Sequence, residues 1–322
     1  MNLIKIFDAF PTPKFLSIPY AGLSISDNAV RSIKFGKKGS KLYVEKFAKK
    51  ILAPGVITSG EVNNKDELIN AIESIKKELN LEYVKVSLPE EKGYLFTAKI
   101  PVVPEAEVKS AIEAKMEENV PISPAELIFN YKITPNLEKE RLDIVVSTLP
   151  ISVVDTYVDV IEKSGLKMIS LEIESQAIAR ALVKPDDKET LLIVHFGLGK
   201  VSLYVVSERV VHFTSTVPLK SDSSEGLDVL SQEIKRLFAY WHTLKMNIGR
   251  EDRKLEGIVV CGENIKDNIV SYLSSRAEVK VSLGNVWTNV LNVEESVPEI
   301  TFNDSLEYVA SVGLALPSNT LI

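Results

Sequence analysis

Cysteine is almost absent from this 322-residue chain. Cys261 stands alone, so no internal disulfide can form, and the sequence suits a reducing compartment. Histidine is nearly as scarce: His195, His212 and His242 lack the spacing of a metal-ligand set, and each reads as a structural residue. Long apolar runs are missing too, none approaching the roughly 18–20 residues of a membrane-spanning helix. The segment Met1–Phe10 lacks the small-residue cleavage site of a signal peptide. Positive charge is not in excess. A net charge of −6 disfavours broad electrostatic binding to nucleic acid. These absences point to a soluble cytoplasmic protein.

What is present is an ordinary globular composition, 45% hydrophobic and 25% charged, on a chain long enough for two lobes. Leu3, Ile4, Phe7 and Phe10 share one face of a short N-terminal helix, read as a frayed or docked terminus in preference to a membrane contact. Leu16–Ser26, Ala29–Lys34 and Leu42–Phe47 read as an antiparallel meander. Asn64 then opens a helix through Leu79, and Val84–Leu88 is a strand stopped by Pro89. Beyond Pro101, the pattern is helix (Glu105–Glu118), two strands (Leu127–Ile133 and Arg141–Thr148) around a Pro135–Asn136 turn, and helix (Ser152–Ser164). This block reads as an insertion before a closing helix, Glu174–Leu182.

After Pro185 the opening order repeats. Leu191–Phe196 and Val201–Val206 flank a glycine-bearing turn, and Val210–Thr216 follows as a third strand. A long helix (Leu227–Lys245), a strand (Gly257–Cys261), a helix (Asn264–Ser275), a strand (Glu278–Leu283) and a closing helix (Leu306–Leu316) complete the chain.

The order resembles the actin-like ATPase superfamily, in the branch that inserts a subdomain into its first lobe. The stretch Ala111–Tyr131 is similar to the PilM family's glutamate-rich helix, Val/Ile-Pro step and aromatic strand. Leu171–Leu182 resembles that family's acidic helix closing the first lobe, Glu233–Tyr240 its Glu-Ile-Arg helix, and Ala310–Leu316 its final helix. The resemblance keeps its order over residues 17–317. It implies a bilobal α/β actin-like (ribonuclease H-like) fold with a small inserted α+β subdomain and a reduced second lobe. The boundaries expected are a tail at 1–16, a first lobe at 17–100 and an insertion at 101–165. A return helix and hinge follow at 166–187, then a second lobe at 188–317 and a tail at 318–322. It also implies a cytoplasmic scaffold of the type IV pilus assembly platform, held at the inner face of the membrane through partners. Those partners would be the cytoplasmic tail of a PilN-like membrane protein, bound in a groove beside the insertion, and other platform or motor proteins.

An actin-like nucleotide site needs two turns offering backbone N–H groups to phosphates, with acidic residues for Mg²⁺. In the first hairpin, Ser24 stands where the family places aspartate, with Ser26 and Asn28 in the turn. In the second, His195 takes the aspartate's place, and neutral imidazole is a poor ligand for hard Mg²⁺. Gly197, Gly199 and Lys200 remain as a possible anion cradle, and the adenosine-side glycine pair is reduced to Gly262, Glu263 and Asn264. Only Pro218–Gly226 separates the third strand from the long helix, where relatives place a further subdomain. These nine positions, Ser24 to Asn264, form a remnant nucleotide site. No catalytic or metal-binding residue and no firm cofactor follows, with ATP the one candidate. A working ATPase in the manner of the cell-division protein FtsA, and the cytoplasmic domain of a type II secretion platform protein, stay open as alternatives.

Elsewhere, Cys261 reads as a buried thiol and Glu113, Glu117 and Glu118 as a solvated helix face. Lys245, Arg250, Arg253 and Lys254 read as a basic surface cluster, Tyr240 and Trp241 as core, and Trp287 as a partner contact.

Overall fold

The structure, a computed structural model, describes residues 18–39, 41–134, 140–219, 224–244, 247, 253–291 and 298–317. The N-terminal segment, the Pro135–Asn136 turn, most of the polar loop before the long helix, Lys245, Arg250 and the C-terminal tail lie outside the described residues.

Alternating apolar residues build the first sheet from β1 (Ala21–Ile25), β2 (Ala29–Lys38) and β3 (Lys41–Ile51), paired antiparallel. A two-stranded ribbon, β4 (Ile57–Thr58) and β5 (Glu61–Val62), leads to α1 (Lys65–Leu79). The cap of α1 is visible in the sequence: the Asn64 side chain accepts from the Glu67 N–H at 3.1 Å, with Asp66 and Glu67 in the first turn. It ends at Asn80, in the left-handed region at φ 51°. Its buried stripe is Leu68, Ala71, Ile72, Ile75 and Leu79, the spacing of one helix face. β6 (Tyr83–Leu88) then joins β1 in parallel.

The inserted subdomain is a three-stranded antiparallel sheet covered by one helix. It comprises β7 (Tyr94–Pro101), α2 (Glu105–Asn119), β8 (Leu127–Thr134) and β9 (Arg141–Pro150), in the order β7-β9-β8. Val108, Ile112 and Met116 of α2 meet Ile100, Ile144 and Val146 of the sheet, forming a core of its own. Two expectations change here. Tyr94–Pro101 pairs along its whole length with β9, so the insertion gains a strand before the proline taken as its start. The helix expected at Ser152–Ser164, α3 (Ile151–Lys163), leaves the insertion. α2 already covers the small sheet, so Tyr157, Val160 and Ile161 bury themselves against Leu68, Ile72 and Val84 of the first lobe. β10 (Lys167–Ile173) completes the first sheet and α4 (Glu174–Leu182) follows.

The second lobe consists of β11 (Thr190–Gly197), β12 (Lys200–Ser207), β13 (Val210–Pro218), α5 (Ser224–Thr243), β14 (Leu255–Gly262), α6 (Asp267–Ser274) and β15 (Lys280–Leu283). Its sheet order, β13-β12-β11-β14-β15, repeats β3-β2-β1-β6-β10 strand for strand. Both are an antiparallel meander followed by two parallel strands. The internal repeat is therefore structural. Leu227, Leu230, Ile234, Leu237 and Trp241 of α5 cover one face of this sheet. Trp241 is buried as expected, but Tyr240 points outward and is 49% exposed.

The closing segment is not one helix. α7 (Phe302–Ser305), a 3₁₀ turn at Leu306–Tyr308 and α8 (Val309–Ala315) divide it. Every residue of α8 is buried. A Cβ on Gly313 would lie 1.8 Å from the Ala177 carbonyl oxygen, and one on Gly22 would lie 2.0 Å from that of Ser311. α4 and α8 therefore touch backbone to backbone, and α8 lies against β1. Residues of both lobes, including Ile33, Ile178, Ile193, Tyr204 and Val309, form one shared core around these helices. Trp287, expected as a partner contact, is 2% exposed and belongs to that core.

Candidate functional site

The repeat brings equivalent ends of the two sheets together. The turn between β1 and β2 closes by the Ser26 N–H donating to Ala29 O at 3.0 Å, while the Ser26 hydroxyl donates to the Asn28 side-chain oxygen at 2.7 Å. The opposing β11–β12 turn is Leu198–Gly199, with Gly199 at φ 71°, a conformation glycine adopts without strain. Gly262, at φ 110°, ends β14 so close to β11 that a Cβ would meet Phe196 O at 2.2 Å. The Glu263 N–H then donates to that same oxygen at 2.8 Å, which aims the Glu263 side chain back toward the first lobe.

Between these turns lies a cavity of about 30 Å³, lined among others by Ser24, Ser26, Asn28, Gly197, Lys200 and Glu263. Six of the nine residues expected at the site thus converge. Gly199 and Gly262 shape its backbone without lining it, and exposed Asn264 is not among the lining residues. Sequence reasoning missed Asp27, Arg31, Glu91, Glu174 and Glu307, which also line it. Asp27, in the turn, and Arg31, on β2, stood inside the first hairpin, where a charge beside the apolar strand residues was a usable signal. The three glutamates carried none.

Charged side chains bridge the lobes. Lys200 lies 3.1 Å from Asp27 and also pairs with Glu91. Arg31, 2% exposed, lies 2.8 Å from Glu263 and 3.2 Å from Glu307, and Lys49 also pairs with Glu307. The Asn28 amide donates to Glu263 at 2.5 Å. Ser24 is occupied as well: its hydroxyl lies 2.7 Å from that of Ser311, which in turn donates to Arg31 O at 3.1 Å. Burial would lower the pKa of Lys200, but Glu91 and Asp27 outweigh it and raise the pKa.

His195 and Glu174 form the neutral corner of the site. His195 Nδ1 lies 3.9 Å from a Glu174 carboxyl oxygen, and its ring stacks near Tyr204 with centroids 6.2 Å apart. Burial, reinforced by Arg31 and Lys200, pushes the His195 pKa down to about 3. Burial and the Glu91 carboxylate push Glu174 up to about 8. At neutral pH the imidazole is uncharged and the carboxyl keeps its proton. Glu90, behind it, accepts from the Ser175 N–H at 3.3 Å and is raised to about 7, chiefly by burial.

The other expectations divide. Cys261 is fully buried and its pKa is raised by desolvation, as for an inert thiol. Glu113, Glu117 and Glu118 are exposed. Arg253 is not a surface cation: it is 7% exposed, its guanidinium lies 2.9 Å from His212, and its carbonyl accepts from Trp241. Among the described residues, no group of His, Cys, Asp and Glu is placed to hold a metal ion. No described helix is long and apolar enough to cross a membrane.

Residues 22–243 match the family model described as type IV pilus assembly protein PilM. The chain belongs to the PilM family. No curated protein matches the sequence. Among solved structures, the fold is similar to a chain of a PilM–PilN type IV pilus biogenesis complex. The TM-score is 0.78 at 19% identity, over 92% of this chain and 98% of that one. The cytoplasmic domain of EpsL, an inner-membrane component of the type II secretion system of Vibrio cholerae, matches with a TM-score of 0.51 at 11% identity. That alignment covers 91% of this chain and 94% of that one. Both likenesses are of fold, a bilobal actin-like architecture. In this PilM-family chain β13 passes to α5 through residues 219–223, with no further subdomain between them.

Proposed function

We propose that this chain is a cytoplasmic scaffold of a type IV pilus assembly platform, binding the cytoplasmic tail of a PilN-like membrane protein without hydrolysing ATP. The family match, joined to an alignment spanning nearly all of a PilM chain solved with PilN, is the observation that carries the scaffold reading. β8 supplies a physical route. It is an edge strand of the small sheet, with Ile128 and Ile133 each 49% exposed. An extended tail added along such an edge gains main-chain hydrogen bonds and apolar anchors together.

The cleft supports the non-hydrolysing part. Ligand pockets of drug size run to roughly 300–1,000 Å³, against the 30 Å³ left here. Five acidic residues line it against two basic ones, and both basic ones are engaged by carboxylates. Ser24 and His195 bring no charge for Mg²⁺, and the described carboxylates are spread among cation partners and not grouped as metal ligands, so the cleft as it stands does not fit a Mg²⁺–nucleotide. Titrating a synthetic tail peptide of the membrane partner tests the scaffold. Micromolar binding is expected, and no binding removes the reading. Calorimetry with ATP, with and without Mg²⁺, tests the rest, and Mg²⁺-dependent micromolar affinity overturns it.

One observation favours the working-ATPase alternative. Glu174 opens α4 and lines the cleft with its pKa raised to about 8, toward the range in which a carboxylate can take a proton from water. Steady ATP turnover abolished by Glu174→Gln would establish that reading.

A further inference from the structure

Residues 31–50 carry seven lysines and one arginine against a single acid, Glu45, in a chain whose net charge is −6. These residues are the β2–β3 hairpin at one edge of the first sheet. The pairing of β1 with β2 reaches only to Lys34, so Phe35–Lys38 pair with β3 alone and the tip projects as a two-stranded ribbon. Phe35, Leu42, Val44 and Phe47 pack that ribbon onto the shared core, which fixes the face turned away from it.

Cross-strand pairs place Lys34 with Lys46, Gly36 with Tyr43, and Lys38 with Lys41 on one face. Lys50 follows Lys46 at the next-but-one alternation. Glu45 neutralises Lys34 at 2.9 Å, while Lys38, Lys46 and Lys50 are exposed. Tyr43 lies in their midst, 42% exposed, with its ring over Gly36: a Cβ there would sit 2.3 Å from the ring.

We propose that this lysine-bearing face of the β2–β3 hairpin is a docking surface for the anionic phospholipid headgroups of a membrane. Edge strands use lysine to block unwanted strand pairing, a need that does not require the charges to share a face. Here Lys38 of β2 and Lys41 of β3 stand opposite one another on the same face as Lys46 and Lys50. The chemistry favours lipid over an acidic protein. Carboxylate recognition draws on the planar arginine fork, and the hairpin's one arginine, Arg31, is buried and committed to Glu263 and Glu307. Its exposed cations are all lysines, flexible point charges suited to a diffuse phosphate layer. A tyrosine among them matches the aromatic preference of the membrane–water interface. The surface is separate from the interlobe cleft and needs no partner protein.

The test is sedimentation of the full chain with vesicles of phosphatidylcholine alone, or of phosphatidylcholine mixed with phosphatidylglycerol. Wild type should bind the mixed vesicles, release them as salt rises, and ignore the neutral ones. Each lysine near an anionic surface is worth about fivefold in affinity. The triple variant Lys38→Glu, Lys46→Glu, Lys50→Glu should therefore lose roughly a hundredfold or more. A control with the same charge change, Lys184→Glu, Lys188→Glu, Lys254→Glu, should stay within a few-fold of wild type. Thermal melts of both variants close to wild type verify folding. Equal binding to both vesicle types overturns the proposal, as does equal loss in the two variants. Capture of soluble polyglutamate in place of the vesicles does so too, assigning the face to an acidic protein.

Discussion

Glu174→Gln should make the protein more stable at alkaline pH and leave it nearly unchanged at acidic pH. Glu174 sits in the cleft beside neutral His195, and burial with the Glu91 carboxylate holds its pKa at about 8. Unfolding returns it to the ordinary carboxylate value near 4.3. Between those pH values the folded chain keeps a proton that the unfolded chain releases, so the contribution to stability falls as pH rises through the window. Below the unfolded value the penalty vanishes, and above about 8 it is complete. A rise of that size corresponds to roughly 5 kcal/mol at 1.36 kcal/mol per pKa unit. Glu174 retains 15% of its side-chain exposure, so solvent in the cleft offsets part of this. A net effect of about 2–3 kcal/mol is the working figure. Glutamine has the shape of the protonated acid and cannot ionise.

The assay is denaturant unfolding of wild type and variant at pH 5, 7 and 8.5, comparing midpoints at equal slope. The two should coincide within about 1 kcal/mol at pH 5 and diverge by about 2–3 kcal/mol, variant higher, at pH 8.5. His195, whose depressed pKa costs stability as pH falls, and Glu90 titrate in both proteins and cancel to first order. A difference that does not change with pH refutes the reasoning. A variant less stable at pH 8.5 refutes it more sharply, because Glu174 would then be ionised and paired in the folded state.

Three further outcomes follow from the same geometry. Lys200→Met removes the second lobe's cation and leaves Asp27 and Glu91 of the first lobe without it, so unfolding free energy should fall by about 2–4 kcal/mol and amide exchange in the two turns should quicken. Unchanged exchange there would show that the pair does not hold the lobes. Gly262→Ala drives a Cβ into the Phe196 carbonyl at a backbone angle disfavoured for alanine, and should cost 3 kcal/mol or more, roughly, read as a fall in melting temperature. Trp241→Phe removes the buried indole donor that reaches the Arg253 carbonyl at 2.6 Å, for a loss of about 1–3 kcal/mol by denaturant unfolding.

Most of the fold was legible in the sequence because its signals are local. Asn64 capping, the spacing of Leu68, Ile72 and Ile75, and the glycine turn after Phe196 each act within a few residues. The Lys200 turn and the β1–β2 turn were found as a pair because the repeat shows in element order. The errors arose where packing decided. Tyr94–Pro101 alternates weakly and ends in the proline that suggested a boundary, and only its pairing with β9 reveals its sheet. α3 has an apolar face whatever it packs against, so its sequence does not say which lobe receives it. Trp287 lies among glycine and asparagine, a surface-like context, yet the shared core encloses it. Partners in the cleft were the least legible. Arg31 and Glu307 are 276 residues apart, and no local rule relates them.

Ser24 and His195, which stand where the resemblance places aspartates, leave the joining of the two hairpins to Lys200 and Asp27. Ser24 spends its hydroxyl on Ser311, and α8 thereby reaches the first hairpin. His195 remains neutral, and Glu174, raised by burial and the Glu91 carboxylate, adds no charge at neutral pH to a cleft already rich in carboxylates. Asp27, Glu91, Glu263 and Glu307 are served by Lys200, Arg31 and Lys49, each cation bridging two carboxylates or sharing one. A polyphosphate entering here would have to draw Lys200 and Arg31 away from these partners and leave the carboxylates unpaired in a confined space. Breaking one such buried pair costs about 3–5 kcal/mol, comparable to the gap between millimolar and micromolar affinity. Only a divalent cation arriving with the nucleotide could take over the abandoned carboxylates. The Mg²⁺ dependence of any ATP binding is therefore the informative quantity: binding without Mg²⁺ has no source of compensation in this cleft, and binding with it requires that the lobes part.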